Sequence, residues 1–342
     1  GLLYAARHGG ALPFGSTTPG ALTAARGYCA AVQTGNYTQA YTYFAPTLQT
    51  TIPASVYPQL AHDLDTQQGP ITSCAAGTAN ASGSSATVAA TVKRQNSAAQ
   101  QLSWTLGLSN GAWRFTQSPE PSLPARATAA AYCTDLMGAN YSAAFALLAP
   151  AVQQELVAVA DYTAAAIDTD TALGKATACA TTGVDVAADG AATAHLRVTR
   201  KQAETDDVAV NSPTTGSALI DAAPDVSLPS RVTAYMFCQD LKAKDYNSAF
   251  TLLTPYAQQQ TGSPDTLKQR IESAETFTGQ ISACHSQTFT LNSDKQSGTL
   301  TGQITTSALL GPLNLPVSLA FVEVTAGKWL INDYQIAGVP LT

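Results

Sequence analysis

Six cysteines are the residues of this chain whose spacing most directly implies chemistry. Cys29 and Cys74, Cys133 and Cys179, and Cys238 and Cys284 lie 45, 46 and 46 residues apart, while equivalent cysteines are separated by 104 or 105. Zinc spacing is absent: there is no Cys-x-x-Cys, and no histidine recurs beside the cysteines. Neither a metal nor a cofactor is expected. Six cysteines allow 15 pairings. Three equal cassettes favour the local ones, Cys29–Cys74, Cys133–Cys179 and Cys238–Cys284, with six buried thiols as the alternative. Closing each loop of ~46 residues stabilises by roughly 4 kcal/mol in the chain-entropy model. Such bridges imply an oxidising compartment.

The other reactive residue types form no comparable pattern. His8, His62, His195 and His285 have no counterparts at equivalent positions, and no nucleophile elbow, phosphate loop or dinucleotide fingerprint occurs. Lys93, Arg94, Arg197, Arg200 and Lys201 gather near a strand end and read as a solvated edge. Asn36-Tyr37-Thr38, Asn80-Ala81-Ser82 and Asn140-Tyr141-Ser142 fit the glycosylation sequon, although Asn36 and Asn140 are also placed to cap helices. Charged residues are 12% of the chain and the net charge is −6. That argues against nucleic acid as a partner, because neutralising phosphates needs clustered cations. No run reaches the ~18 apolar residues of a membrane span. Low charge and a wealth of Ala, Thr, Ser and Gln suit an exported, extracellular or cell-surface protein. Residues 1–18 lack a basic region followed by an apolar one. They are expected to be a flexible leader, with an upstream signal or anchor removed.

The cysteine cassettes belong to a longer repeat. Pro19, Pro124 and Pro229 share a register, as do Thr23, Thr128 and Thr233. Tyr37, Tyr141 and Tyr246 follow Asn36, Asn140 and Asp245, and Pro46, Pro150 and Pro255 come later. Gly69, Gly174 and Gly279 sit five before each second cysteine. The period is too long for a solenoid unit and matches a domain. The expected organisation is a leader at 1–18 and modules at 19–123, 124–228 and 229–342, joined by Pro-rich connectors around Pro119 and Pro224.

Each module reads as helices followed by strands. Residues 126–137 form an amphipathic first helix. Asn36, Asn140 and Asp245 cap a second helix, and residues 267–274 show a third most clearly. Alternation then predicts strands at 86–92 and 102–108, a turn at Asn110-Gly111 and a return strand from Trp113. The third module repeats this at 298–305, 315–324 and 328–336, around Ala326-Gly327. In the second, 192–199 is a strand, but 206–221 is too polar to place. The fold class is α+β: three tandem repeats, each with N-terminal helices packed on a curved antiparallel sheet, and one disulfide per repeat.

This element order, with Asn/Asp-Tyr-x-x-Ala-aromatic and a late Gly-x-Trp (Gly111-Ala112-Trp113, Gly327-Lys328-Trp329), resembles the cone-shaped NTF2-like superfamily. It is closest in kind to the small domains of uncharacterised bacterial extracytoplasmic proteins. The second module lacks the late Trp, so a distorted sheet is expected there. The resemblance implies that any active site lies in the mouth of a cone, with an inward acid as base and a Tyr or second acid donating to developing charge. Asp65, Asp170 and Glu275, each nine before a second cysteine, are the candidate acids, and Tyr37, Tyr141 and Tyr246 recur beside the second helix. If one cone is catalytic, the choice is Asp170 with His195. Without a repeated catalytic set, the leading expectation is a monomeric, non-catalytic binding, interaction or spacer protein. Its partner would be another protein or a small apolar ligand. The alternatives are a small-molecule carrier using the cones and an isomerase- or hydrolase-like enzyme.

Overall fold

The computed structural model describes residues 17–156, 158–187, 191–201, 205–212, 218–220, 227–309, 311–325, 328–336 and 339–340. Most of the expected leader and the Ala326-Gly327 turn fall outside them. The first module contains α1 (Thr17–Gln33), α2 (Tyr37–Tyr41), α3 (Pro46–Thr51), α4 (Tyr57–Gln68), β1 (Ile71–Ser82), β2 (Ser85–Arg94), β3 (Gln100–Ser109) and β4 (Ala112–Phe115). The second has α5 (Leu123–Met137), α6 (Tyr141–Ala146), α7 (Pro150–Glu155), α8 (Val159–Leu173), β5 (Ala176–Val186), β6 (Ala192–Arg200) and β7 (Thr205–Ser212). The third has α9 (Leu228–Ala243), α10 (Tyr246–Thr251), α11 (Pro255–Thr261), α12 (Pro264–Thr278), β8 (Gln280–Leu291), β9 (Ser297–Ala308), β10 (Gly311–Thr325), β11 (Lys328–Ile336) and β12 (Val339–Pro340). The architecture is α+β and repeats three times, with disulfides Cys29–Cys74, Cys133–Cys179 and Cys238–Cys284. Two compact units result: Gly1–Ala127 holds the first module and the start of α5, and Thr128–Thr342 holds the rest.

Local chemistry sets the element ends. Pro46, Pro150 and Pro255 open α3, α7 and α11, where a missing N–H costs nothing. Pro19 lies in the first turn of α1, so residues 17–20 are helical, although the leader was expected to run to residue 18. Asn36 and Asp245 accept from the backbone N–H of Gln39 and Ser248 as caps, but Asn140 makes no such bond. Gly69, Gly174 and Gly279 end α4, α8 and α12 at φ of 80°, 82° and 84°. A Cβ on Gly279 would stand 2.2 Å from the Ser307 carbonyl oxygen. The repeated glycine therefore lets the long helix turn directly into its first strand.

All three sheets are antiparallel, with β1, β5 and β8 at one edge. Alternation along β2 and β6 puts Val88, Ala90 and Val92, or Ala194, Leu196 and Val198, into the core against the helices. Asn110 and Gly111, both at positive φ, make the tight hairpin between β3 and β4. A short parallel bridge closes each module: Phe44 with Phe115, Leu148 with Ile220, and Leu253 with Ile331. Ile220 is fully buried and, among the described residues, takes in the second module the place that Phe115 and Ile331 hold in the others. The segment too polar to place thus contains β7, paired with β6, and this bridging residue.

Candidate functional site

In the first two modules the repeated acids and tyrosines meet at the long helix. In the first, the Tyr37 hydroxyl donates to Asp65 on α4. Arg94, the last residue of β2, donates to the other Asp65 oxygen at 2.7 Å, to the Gly69 carbonyl at 3.1 Å and to Glu120 at 3.2 Å. Arg94 and Glu120 are buried. Burial acts to lower the Arg94 pKa, but Glu120 and Asp65 outweigh it and hold it raised. Burial raises the Glu120 pKa against the pull of Arg94. Tyr37 is pushed well above the ordinary tyrosine range by burial and then by Asp65. Trp104 donates to the Pro119 carbonyl at 2.9 Å, which fixes the connector over the cluster.

The second module repeats the arrangement. Tyr141 and Arg200 both donate to Asp170, and Arg200 donates to the Gly174 carbonyl at 3.0 Å. In the third, strand register puts Thr306 where Arg94 and Arg200 stand, since Ile71 pairs Arg94, Ala176 pairs Arg200 and Ile281 pairs Thr306. Thr306 donates to the Thr278 carbonyl at 2.5 Å. Glu275 accepts the Ile281 N–H at 3.1 Å and lies 3.7 Å from the Lys244 ammonium. Buried Tyr246 has no hydrogen-bond partner for its hydroxyl among the described residues. Burial, then Glu272 and Glu275, raise its pKa to about 12.

These are ties between helix and sheet. Two of the three candidate acids are held from both sides by a guanidinium and a phenol, which leaves the carboxylate little freedom to take a proton from a substrate. The fold does not bring Asp170 and His195 together. His195 lies on the face of β6 opposite Arg200, with its Nε2 2.9 Å from exposed Asp185. The solvated-edge reading fails for Arg94 and Arg200, which are 5% and 6% exposed. They fall on the inward phase of their strands, while Lys93 and Arg197 point out. The acid register and the strand-end arginines were both visible in the sequence, but their pairing required the strand register.

A further polar group joins the second and third modules, whose α8 packs against α9 and β8. Asp168 accepts the Ser286 backbone N–H at 2.8 Å and the Ser286 hydroxyl, and lies 3.3 Å from His285 Nδ1. Buried Arg231 donates to Ser286 Oγ at 3.1 Å and to the Gln287 carbonyl at 3.3 Å. Beneath these residues is a cavity of about 40 Å³, bounded by Phe237, Leu241, Leu300, Leu319 and Tyr334. A water needs ~10–15 Å³, whereas small-molecule sites start near ~300 Å³. The space has room for a few waters. Among the described residues, no group of three His, Cys, Asp or Glu could hold a metal ion, and no helix is long and apolar enough to cross a membrane. No protein-family profile matches the chain, and no curated protein matches it.

Proposed function

We propose that this chain is an exported, non-catalytic interaction or spacer protein built from three NTF2-like modules. One observation carries the reading. The acid that an active cone would use is employed at Asp65 and Asp170 to lock the long helix onto the sheet. Three disulfides in a chain with 12% charged residues support export. The NTF2-like reading rests on the repeated order of helices and a curled antiparallel sheet, and on the late Trp of the first and third modules. Native mass spectrometry of the oxidised protein tests the proposal. The expected mass is that of the bare chain, with no thiol open to alkylation. A small molecule released on denaturation would overturn it in favour of a carrier or enzyme.

A further inference from the structure

The contact between the second and third modules uses positions that recur along the chain. The donor face lies on the long helix, eleven and seven residues before the second cysteine: Asp63 and Gln67, Asp168 and Ala172, Ser273 and Phe277. The receiving face combines the residue seven before the first cysteine (Leu22, Arg126, Arg231) with the two after the second. Those two are Ala75-Ala76, Ala180-Thr181 and His285-Ser286. Two receiving arginines are seen engaged. Arg126 donates to Gln67 at 2.7 Å and feels the charge of Asp63, and Arg231 shares Ser286 with Asp168.

The two faces left over have changed together. On the third module, the acid is replaced by Ser273, and the position of Gln67 holds Phe277, which is 86% exposed. Fully exposed Leu309 and exposed Leu313 belong to the adjoining hairpin, where Gly279 abuts Ser307 and Thr306 pairs Leu313. On the first module, the arginine is replaced by half-buried Leu22, and β1 has no charged residue along its whole length. At the matching positions the charged partners are gone: α12 presents Phe277, and α1 and β1 present Leu22, Ala75 and Ala76.

We infer that copies of this chain associate head to tail, with the α12 face of one seated on the α1 and β1 face of the next. The occupant is a second copy because the contact continues the one between the second and third modules, with Phe277 against Leu22 where Gln67 meets Arg126, and Ser273 beside Ala75 and Ala76 where Asp168 meets His285 and Ser286. Such an interface is heterologous, so each copy keeps one face free after pairing. It differs from the monomer expected from the sequence and does not depend on the absence of catalysis.

Sedimentation velocity on wild type, Phe277→Asp and Ala75→Glu, over a hundredfold range of concentration, tests this. Both substitutions are at exposed positions, and circular dichroism checks their folds. Thr78→Glu, also exposed on β1, serves if Ala75→Glu misfolds. Wild type is expected to grow beyond 35.3 kDa with concentration. Each variant alone should associate about 10-fold or more weakly. An equimolar mixture should restore pairing but stop at the dimer, because each variant blocks the opposite face. A wild type that stays monomeric overturns the inference and leaves these faces to other proteins or further modules. Loss with Phe277→Asp alone would mean pairing of like faces, and a mixture that forms no dimer would also defeat the idea.

Discussion

Replacing Arg94 with Met strands two carboxylates. Asp65 and Glu120 have side chains 19% and 9% exposed, and both lean on one guanidinium that is itself 6% exposed. Breaking a buried pair by deleting one member costs about 3–5 kcal/mol, because the remaining charge stays desolvated. The first module has a convenient reporter, since Trp104 and Trp113 belong to it and Trp329 is the chain's third tryptophan. In a Trp329→Phe background, fluorescence follows the first module alone. With a urea slope of about 2 kcal/mol per molar, Arg94→Met should lower the midpoint by roughly 2 M. Adding Asp65→Asn and Glu120→Gln removes the stranded charges and should recover most of the loss. If Arg94→Met costs under about 1 kcal/mol, the pair behaves like an exposed one and the argument from burial is refuted.

Gly279→Ala should destabilise the third module by more than about 1 kcal/mol, since alanine meets both a positive φ and a backbone oxygen. Urea unfolding followed by Trp329 fluorescence checks it, and an unchanged midpoint would contradict the reading of the repeated glycine. Alkaline titration gives a further test. Burial raises the pKa values of Tyr28, Tyr37, Tyr57, Tyr141, Tyr246 and Tyr334, with Tyr246 reaching about 12. The stability these neutral phenols supply is fully present below the usual value of 10.0 and is lost as pH rises through the raised ones. Tyrosinate absorbance should therefore rise in two stages, the later one accompanying unfolding. A single rise near 10 with native circular dichroism would count against it.

The repeat was legible because cysteine, proline and glycine each constrain the backbone where they occur. Cys29, Pro46 and Gly69 recur in register for reasons that lie within one module, so spacing alone revealed the three bridges and most element ends. The polar ties were not legible in the same way. Asp65 and Arg94 are distant in sequence, and although alternation puts Arg94 on the inward face of β2, it does not say which acid meets it there. Asn140 shows the limit of local chemistry, because a good capping residue makes no capping bond in this setting. The closing bridge of the second module was hidden for another reason. Its edge is completed by Ile220, beyond a polar stretch that offers no alternation to read.

The disulfides also govern how the chain yields to tension. A pull on the ends of a module reaches one cysteine and leaves through the other, bypassing the 45 or 46 residues between them. The three hidden loops hold about two-fifths of the chain, including the long helix and the closing glycine of every module. An unfolded module under load therefore stops short, and reducing its bridge would release roughly 150 Å more per module. Under load the reach of the unfolded chain is restricted while the bridges are intact, and its maximum length is set by their redox state.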